Sequence, residues 1–171
     1  MRRWQRMLDA TMQAHGEALL AHARELTGDG EQAARLLEDA LTAAFSRGHV
    51  PEHADAAFES VRRTMRHAAV RSAVPAAPLA PADDPTEASS LARAALATLP
   101  GRERALVVLR YGAGLAVEAI ASEVDLKAAA VRSDLARAVT ALREVYPGIG
   151  VTVEDALEGG VLETTAVGDA R

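Results

Sequence analysis

The chain contains no cysteine, and only 3% of its 171 residues are aromatic, a single tryptophan among them. The first absence excludes disulfides, thiolate metal sites and cysteine nucleophiles together. The second means that cores must be filled by small aliphatic side chains. No run approaches the ~18 apolar residues of a membrane span, and Arg2 and Arg3 precede no apolar stretch of the kind a signal peptide needs. The chain therefore reads as a soluble, cytoplasmic protein with no contact to membranes. A glycine-rich phosphate loop, a nucleophile elbow and paired carboxylates are also missing, which speaks against an enzyme. No cofactor is implied. His15 and His22, or His49 and His53 around Pro51, find no third ligand at metal-site spacing, so no metal site is expected.

What is present is helix. Hydrophobic residues make up 49% of the chain. Many are alanines, which favour helix and fill little volume, so closely packed small helices are expected. Apolar residues recur at three- and four-residue intervals and no strand pattern appears. The spacing predicts helices over 4–26, with Leu8, Met12, Leu19 and Leu26 on one side, then 31–46 and 54–72. Trp4 reads as a core or interface anchor. Residues 74–85, VPAAPLAPADDP, are proline- and alanine-rich and read as a linker. Helices follow over 86–98 and from Pro100 through Arg110, ended by Gly112 and Gly114. The fold class is all-α: two small helical domains, 1–74 and 88–146, joined by a linker over 75–87. Residues 147–171 read as an acidic, mobile tail in which 154–157 could form one turn.

Residues 115–144 carry the most specific pattern. Val117, Ile120, Ala121 and Val124 make one apolar face, and Val131, Leu135, Ala138, Leu142 and Val145 another. Asp125-Leu126-Lys127 separates them. A small residue at Ala121, a residue tolerant of left-handed geometry at Asp125 and an apolar Val131 are what a helix-turn-helix requires. An ordinary helical hairpin has the same spacing. If the motif holds, Ala128 to Arg137 faces a DNA major groove. Ala128, Ala129 and Ala130 can touch a thymine methyl, leaving Arg132 and Ser133 to read base edges and Lys127 and Arg137 to meet phosphates. Charge is modest: residues 91–146 carry net +2, residues 1–74 net 0, residues 75–90 net −3 and residues 147–171 net −4. Tight non-specific DNA binding needs more positive charge than that.

Two stretches carry a family resemblance. HGEALLAHARELTGDGEQAARLLEDALTAAF (15–45), with its Leu-Thr-Gly-Asp turn, is similar to the first helices of extracytoplasmic-function sigma factors. LATLPGRERALVVLRYGAGLAVEAIASEVDLKAAAVRSDLARAVTALRE (96–144) resembles their closing domain, through Leu99-Pro100, Arg104, Leu109-Arg110-Tyr111, Ile120-Ala121, Val131-Arg132 and Arg137-Ala138. The resemblance implies a protein that binds core RNA polymerase and directs it to promoter DNA, with room for an anti-sigma or other regulatory protein as a further partner. It places polymerase contacts at Leu36, Glu38 and Asp39. It places contacts to melting promoter DNA along Arg62, Arg63, Arg66, His67 and Arg71.

Several residues depart from the family pattern. Ala34-Arg35 stands at its acidic pair, Glu38 at its glutamine, Phe45 at its tryptophan and His67 at its asparagine. Asp125 replaces the usual glycine, and Lys127 the usual capping serine, a change that typically costs ~1 kcal/mol. Asp134 occupies a commonly basic position and is expected to face phosphates with the wrong sign. These departures keep open a second reading, a sigma-like helical regulator that binds polymerase or another protein with reduced or lost DNA reading. A stand-alone helix-turn-helix regulator is disfavoured by the separate N-terminal helices.

Overall fold

The computed structural model describes residues 3–46, 51–72 and 87–158, with side chains from residue 91 onward in the last segment. All regular structure among the described residues is helical, with no strand among them. Residues 75–86 of the linker expected over 75–87, residues 47–50 and residues 159–171 of the tail lie outside the described residues, while Glu87 opens a helix.

Three long helices form the N-terminal half: α1 (Arg3–Thr27), α2 (Gly30–Ser46) and α3 (Ala54–Arg71). Their ends follow from local chemistry. Gly28, at φ 79°, turns out of α1 and donates its N–H to the Arg24 carbonyl at 2.7 Å, the left-handed stop glycine supplies without strain. Asp29 then caps α2, its carboxylate accepting the Gln32 N–H at 2.8 Å. His53 caps α3 through Nδ1, which accepts from the Ala56 N–H at 3.1 Å. Leu19, Ala23, Leu26, Ala33, Leu37, Ala40, Val61, Met65, Ala69 and Val70 are buried where the helices meet. Helix α1 continues through Gly16, and Met12 is more than a third exposed while Thr11 is buried in its place.

The C-terminal half combines several short helices with one of 18 residues. Helix α4 (Glu87–Ala97) leads into α5 (Gly101–Val107), which widens into a π-helical turn over Val108–Gly112. Helix α6 (Val117–Glu123) and α7 (Ala128–Val145) follow. Helix α8 (Val153–Glu158) closes the described chain. This last helix contains residues 154–157, where the sequence allowed one turn, and extends one residue beyond them at each end. Thr152 and Asp155 form a reciprocal cap, the Thr152 hydroxyl accepting the Asp155 N–H at 3.1 Å and the Asp155 carboxylate the Thr152 N–H at 3.2 Å. Arg110 pins α8 in place, donating to the Ala156 carbonyl at 2.8 Å and the Asp155 carbonyl at 3.0 Å.

One apolar core runs through both halves, because α5 packs against α1 and α3, and α6 against α3. Arg104, fully buried, spans the junction. It donates to the Leu96 carbonyl at 3.0 Å and, across 77 residues of sequence, to the Thr27 carbonyl at 2.6 Å. Burial lowers its pKa from the usual arginine value. Carbonyls at the end of α1 have no partner within that helix, and a cation suits that end of the dipole.

Candidate nucleic-acid interface

Helices α6 and α7 and the turn between them have helix-turn-helix geometry. Ile120 and Val131 are fully buried and Ala121 nearly so, which lets the two helices cross closely. Asp125 adopts φ 54°, the only positive φ outside glycine among the described residues. Asp is one of the few residues that tolerates this conformation. Leu126 is half-buried, and its N–H bonds the Ala121 carbonyl at 2.9 Å. Lys127 stands at the N-cap of α7 with no side-chain cap hydrogen bond, as its missing hydroxyl or carboxylate requires.

The outer face of α7 presents Lys127, Ala129, Arg132 and Ser133 to solvent. Arg132 pairs with Glu118 of α6. Both side chains are open to water, so the pair is weak and yields easily to a phosphate or a base. Arg137 is more committed. Its Nε donates to Glu103 at 2.5 Å and its Nη2 to Asp134. The Glu103 hydrogen bond, then the charges of both carboxylates, raises its pKa above the usual arginine value.

Asp134 is not where the sequence reading placed it. It is buried rather than facing phosphates, and bonds Arg102 at 2.8 Å as well as Arg137. The sequence held the signal: Asp134 lies three residues after buried Val131 and four before buried Ala138, on the inner stripe of α7.

The arginines of α3 divide. Arg62 lies over the Phe58 ring at 5.2 Å and pairs with Glu59 at 3.3 Å. Arg63 is exposed and His67 half-buried. Arg66 is buried, corrected from a solvent-facing position: it donates Nη1 to Glu123 of α6 and Nε to His22 Nε2 at 3.3 Å. His22 Nδ1 in turn hydrogen-bonds Glu25 at 3.5 Å. That same hydrogen bond is the main cause of a lowered Glu25 pKa. Arg71 pairs with Asp125 of the helix-turn-helix turn at 3.2 Å. The partners Glu123 and Asp125 were not singled out from sequence for this role.

On the opposite side of the N-terminal half, Glu38 and Asp39 are exposed on α2 and Leu36 is half-buried. Beside them lies an open apolar groove of about 660 Å³ between α1 and α2, lined by Trp4, Leu8, Leu37, Glu38, Leu41 and Phe45 among others. Trp4 thus sits where an interface anchor would. No group of three or more metal-ligating residues occurs among the described residues, and none of their helices is long and apolar enough to cross a membrane.

A helix-turn-helix with cations on its outer helix, carried on a second helical half, defines a DNA-binding protein. Comparison with known proteins narrows the class. The family model for sigma-70 region 4 matches residues 89–142, the segment that contains both helices of the motif. The RNA polymerase sigma-E factor of Streptomyces coelicolor is 32% identical over 140 residues, covering 75% of this chain and 79% of that protein. Among solved structures, the sigma factor RpoE in complex with the anti-sigma factor NepR from Bartonella quintana shares the fold at TM-score 0.51. Its identity is 19%, over 80% of this chain and 94% of the other. The chain belongs to the extracytoplasmic-function family of RNA polymerase sigma factors.

Proposed function

We propose that this sigma factor binds core RNA polymerase through its N-terminal half and directs it to promoter DNA through α7, acting in the cytoplasm without catalysis of its own. The observation that carries the reading is the outer face of α7. Lys127, Arg132 and Ser133 are exposed on a helix whose inner stripe is fully packed, and Arg132 is held only by a water-exposed pair with Glu118, so all three can turn to a DNA groove. Residues 1–74 and 88–146 act as the two working domains. Leu36, Glu38 and Asp39 offer an apolar edge and carboxylates to basic residues of the polymerase. Arg62, Arg63, His67 and Arg71 serve the melting DNA, while buried Arg66 steadies their helix through Glu123 and His22. An anti-sigma protein is a candidate regulator, as for the Bartonella relative.

The alternative, a polymerase-binding regulator with reduced DNA reading, draws support from the commitment of Arg137 to Glu103 and Asp134. In-vitro transcription with core polymerase and genomic DNA separates the two. Initiation at defined start sites is expected; polymerase binding without initiation favours the alternative. A footprint sharpens the assignment, because Lys127 is the only lysine in the chain. Promoter DNA in the complete complex is expected to protect its amine from an acylating reagent. Full reactivity in a transcribing complex excludes the start of α7 from the groove.

A further inference from the structure

Helices α5 and α7 contribute one arginine each to a paired cationic edge, and two carboxylates lie beneath it. Asp134, on the inner stripe of α7, accepts from Arg137 through Oδ1 and from Arg102 of α5 through Oδ2, the latter at 2.8 Å. Glu103 of α5 also holds Arg137, accepting its Nε at 2.5 Å. The side chains of Asp134 and Glu103 are 12% and 10% exposed, those of Arg102 and Arg137 41% and 59%. The cluster is therefore layered, with carboxylates below and cations at the surface. The two oxygens of a single carboxylate set the spacing of the arginines, so like charges that would repel stand side by side. Arg137 falls four residues after exposed Ser133, on the same face of α7. Arg102 flanks that face from the neighbouring helix.

We propose that Arg102 and Arg137 form a clamp for one DNA backbone phosphate, with Asp134 and Glu103 as the residues that position it. This rests on the reading of α7 as the groove-facing helix. A guanidinium presents five donors. Among the described residues each of these two uses only its Nε and Nη2 on carboxylates, which leaves Nη1 for a phosphate oxygen. A phosphodiester offers two non-bridging oxygens, one for each arginine, repeating outward the arrangement that Asp134 makes inward. Side chains already fixed by folding lose little freedom on binding. The four charges cancel, so the cluster adds little long-range attraction and acts by geometry at contact. This accounts for a carboxylate in a groove-facing helix: buried, it aligns cations instead of repelling phosphates. The commitment of Arg137 to Glu103 and Asp134 then prepares it for DNA.

The test uses the full chain with core polymerase on a promoter duplex mapped by in-vitro transcription. Methylphosphonate, which replaces one phosphate oxygen by methyl and removes the charge, is placed at one position at a time along the duplex. The wild-type chain is expected to lose affinity by about tenfold at the clamped position. In Arg102→Ala, and equally in Arg137→Ala, the same substitution is expected to cost less than about twofold. Arg102→Gln serves as a second variant should Arg102→Ala fold poorly. Asp134→Asn keeps the shape but cannot accept on both sides, and is expected to shrink the penalty at that position alone. A cluster that merely holds the fold together would change overall affinity and leave the profile along the duplex intact. An unaltered profile in both Arg102 variants, with start sites still recovered, overturns the clamp and leaves the proposed function standing. An undiminished penalty in Asp134→Asn overturns the positioning by the carboxylates. Absence of any start site sinks the proposed function, and the clamp with it.

Discussion

The N-terminal half is made of helices of 25, 17 and 18 residues, whereas α5 and α6 have seven each. Long helices can present a continuous apolar stripe over several turns, and in α1–α3 Leu19, Leu26, Val61 and Met65 do most of the holding. A seven-residue helix has barely two turns and is marginal alone. The C-terminal half compensates with buried or half-buried charge. Arg104 and Arg110 donate to backbone carbonyls at the ends of other segments, and Glu103 and Asp134 tie Arg102 and Arg137 together. Short helices leave many carbonyls without partners near their ends. Arginine, with five donors in a rigid fork, can serve two or three of them at once.

Arg104→Ala tests this contrast most severely. It removes hydrogen bonds to carbonyls of both halves from a fully buried site and is expected to cost about 3–5 kcal/mol, read as a lower urea midpoint. Arg62→Ala, an arginine of the apolar half, is expected to cost under about 1 kcal/mol. Equal losses would erase the distinction. Asp134→Arg comes next. It places a cation between Arg102 and Arg137 at a nearly buried position, with an expected loss of about 3 kcal/mol in the same unfolding assay. Tighter DNA binding with unchanged stability would mean that the side chain faces outward after all.

Tyr111→Phe works in the opposite direction. The Tyr111 hydroxyl is buried with no hydrogen-bond partner among the described residues, so its removal is expected to stabilise by about 1 kcal/mol. Burial also pushes the Tyr111 pKa up to about 12. The folded chain therefore holds this proton more tightly than the unfolded one. The associated stability is complete below about pH 10 and is lost as the pH rises toward 12. Tyr111→Phe should flatten that alkaline loss in a melting series. The smallest effect belongs to the N-terminal half. The hydrogen bond with His22 lowers the Glu25 pKa from 4.5, so its contribution is present above that value and disappears as the pH falls through the lowered one. Its carboxylate is largely exposed, and Glu25→Gln should shift acid melting only slightly. A large acid shift would place a strong ionic tie between His22 and Glu25 on the surface of α1.

How much of this was legible beforehand depended on sequence distance. The turn between α6 and α7 could be read because Ala121, Asp125 and Val131 lie within eleven consecutive positions and local geometry alone demands them. The buried face of α7 was equally accessible from its period, and Asp134 was misplaced by giving its charge more weight than its position between Val131 and Ala138. Helix α8 announced itself through Thr152 and Asp155, a capping pair overshadowed by the acidity around it. Arg66 was different in kind. Its partner Glu123 is 57 residues away, and no periodicity on either helix reveals that the two meet. The same holds for Arg104 and Thr27, whose contact exists only because the halves share a core.

The distribution of aromatic residues carries an unexpected convenience. The lone tryptophan, Trp4, sits in the groove between α1 and α2, while both tyrosines, Tyr111 and Tyr146, belong to the other half. Tyrosine emission overlaps tryptophan absorption, so excitation of the first and emission from the second form an intrinsic optical ruler. Any treatment that separates the halves, such as partial unfolding, would dim that transfer in the unmodified protein. A ligand entering the groove shifts the colour of Trp4 and leaves the ruler in place, so the two events can be followed separately in one cuvette.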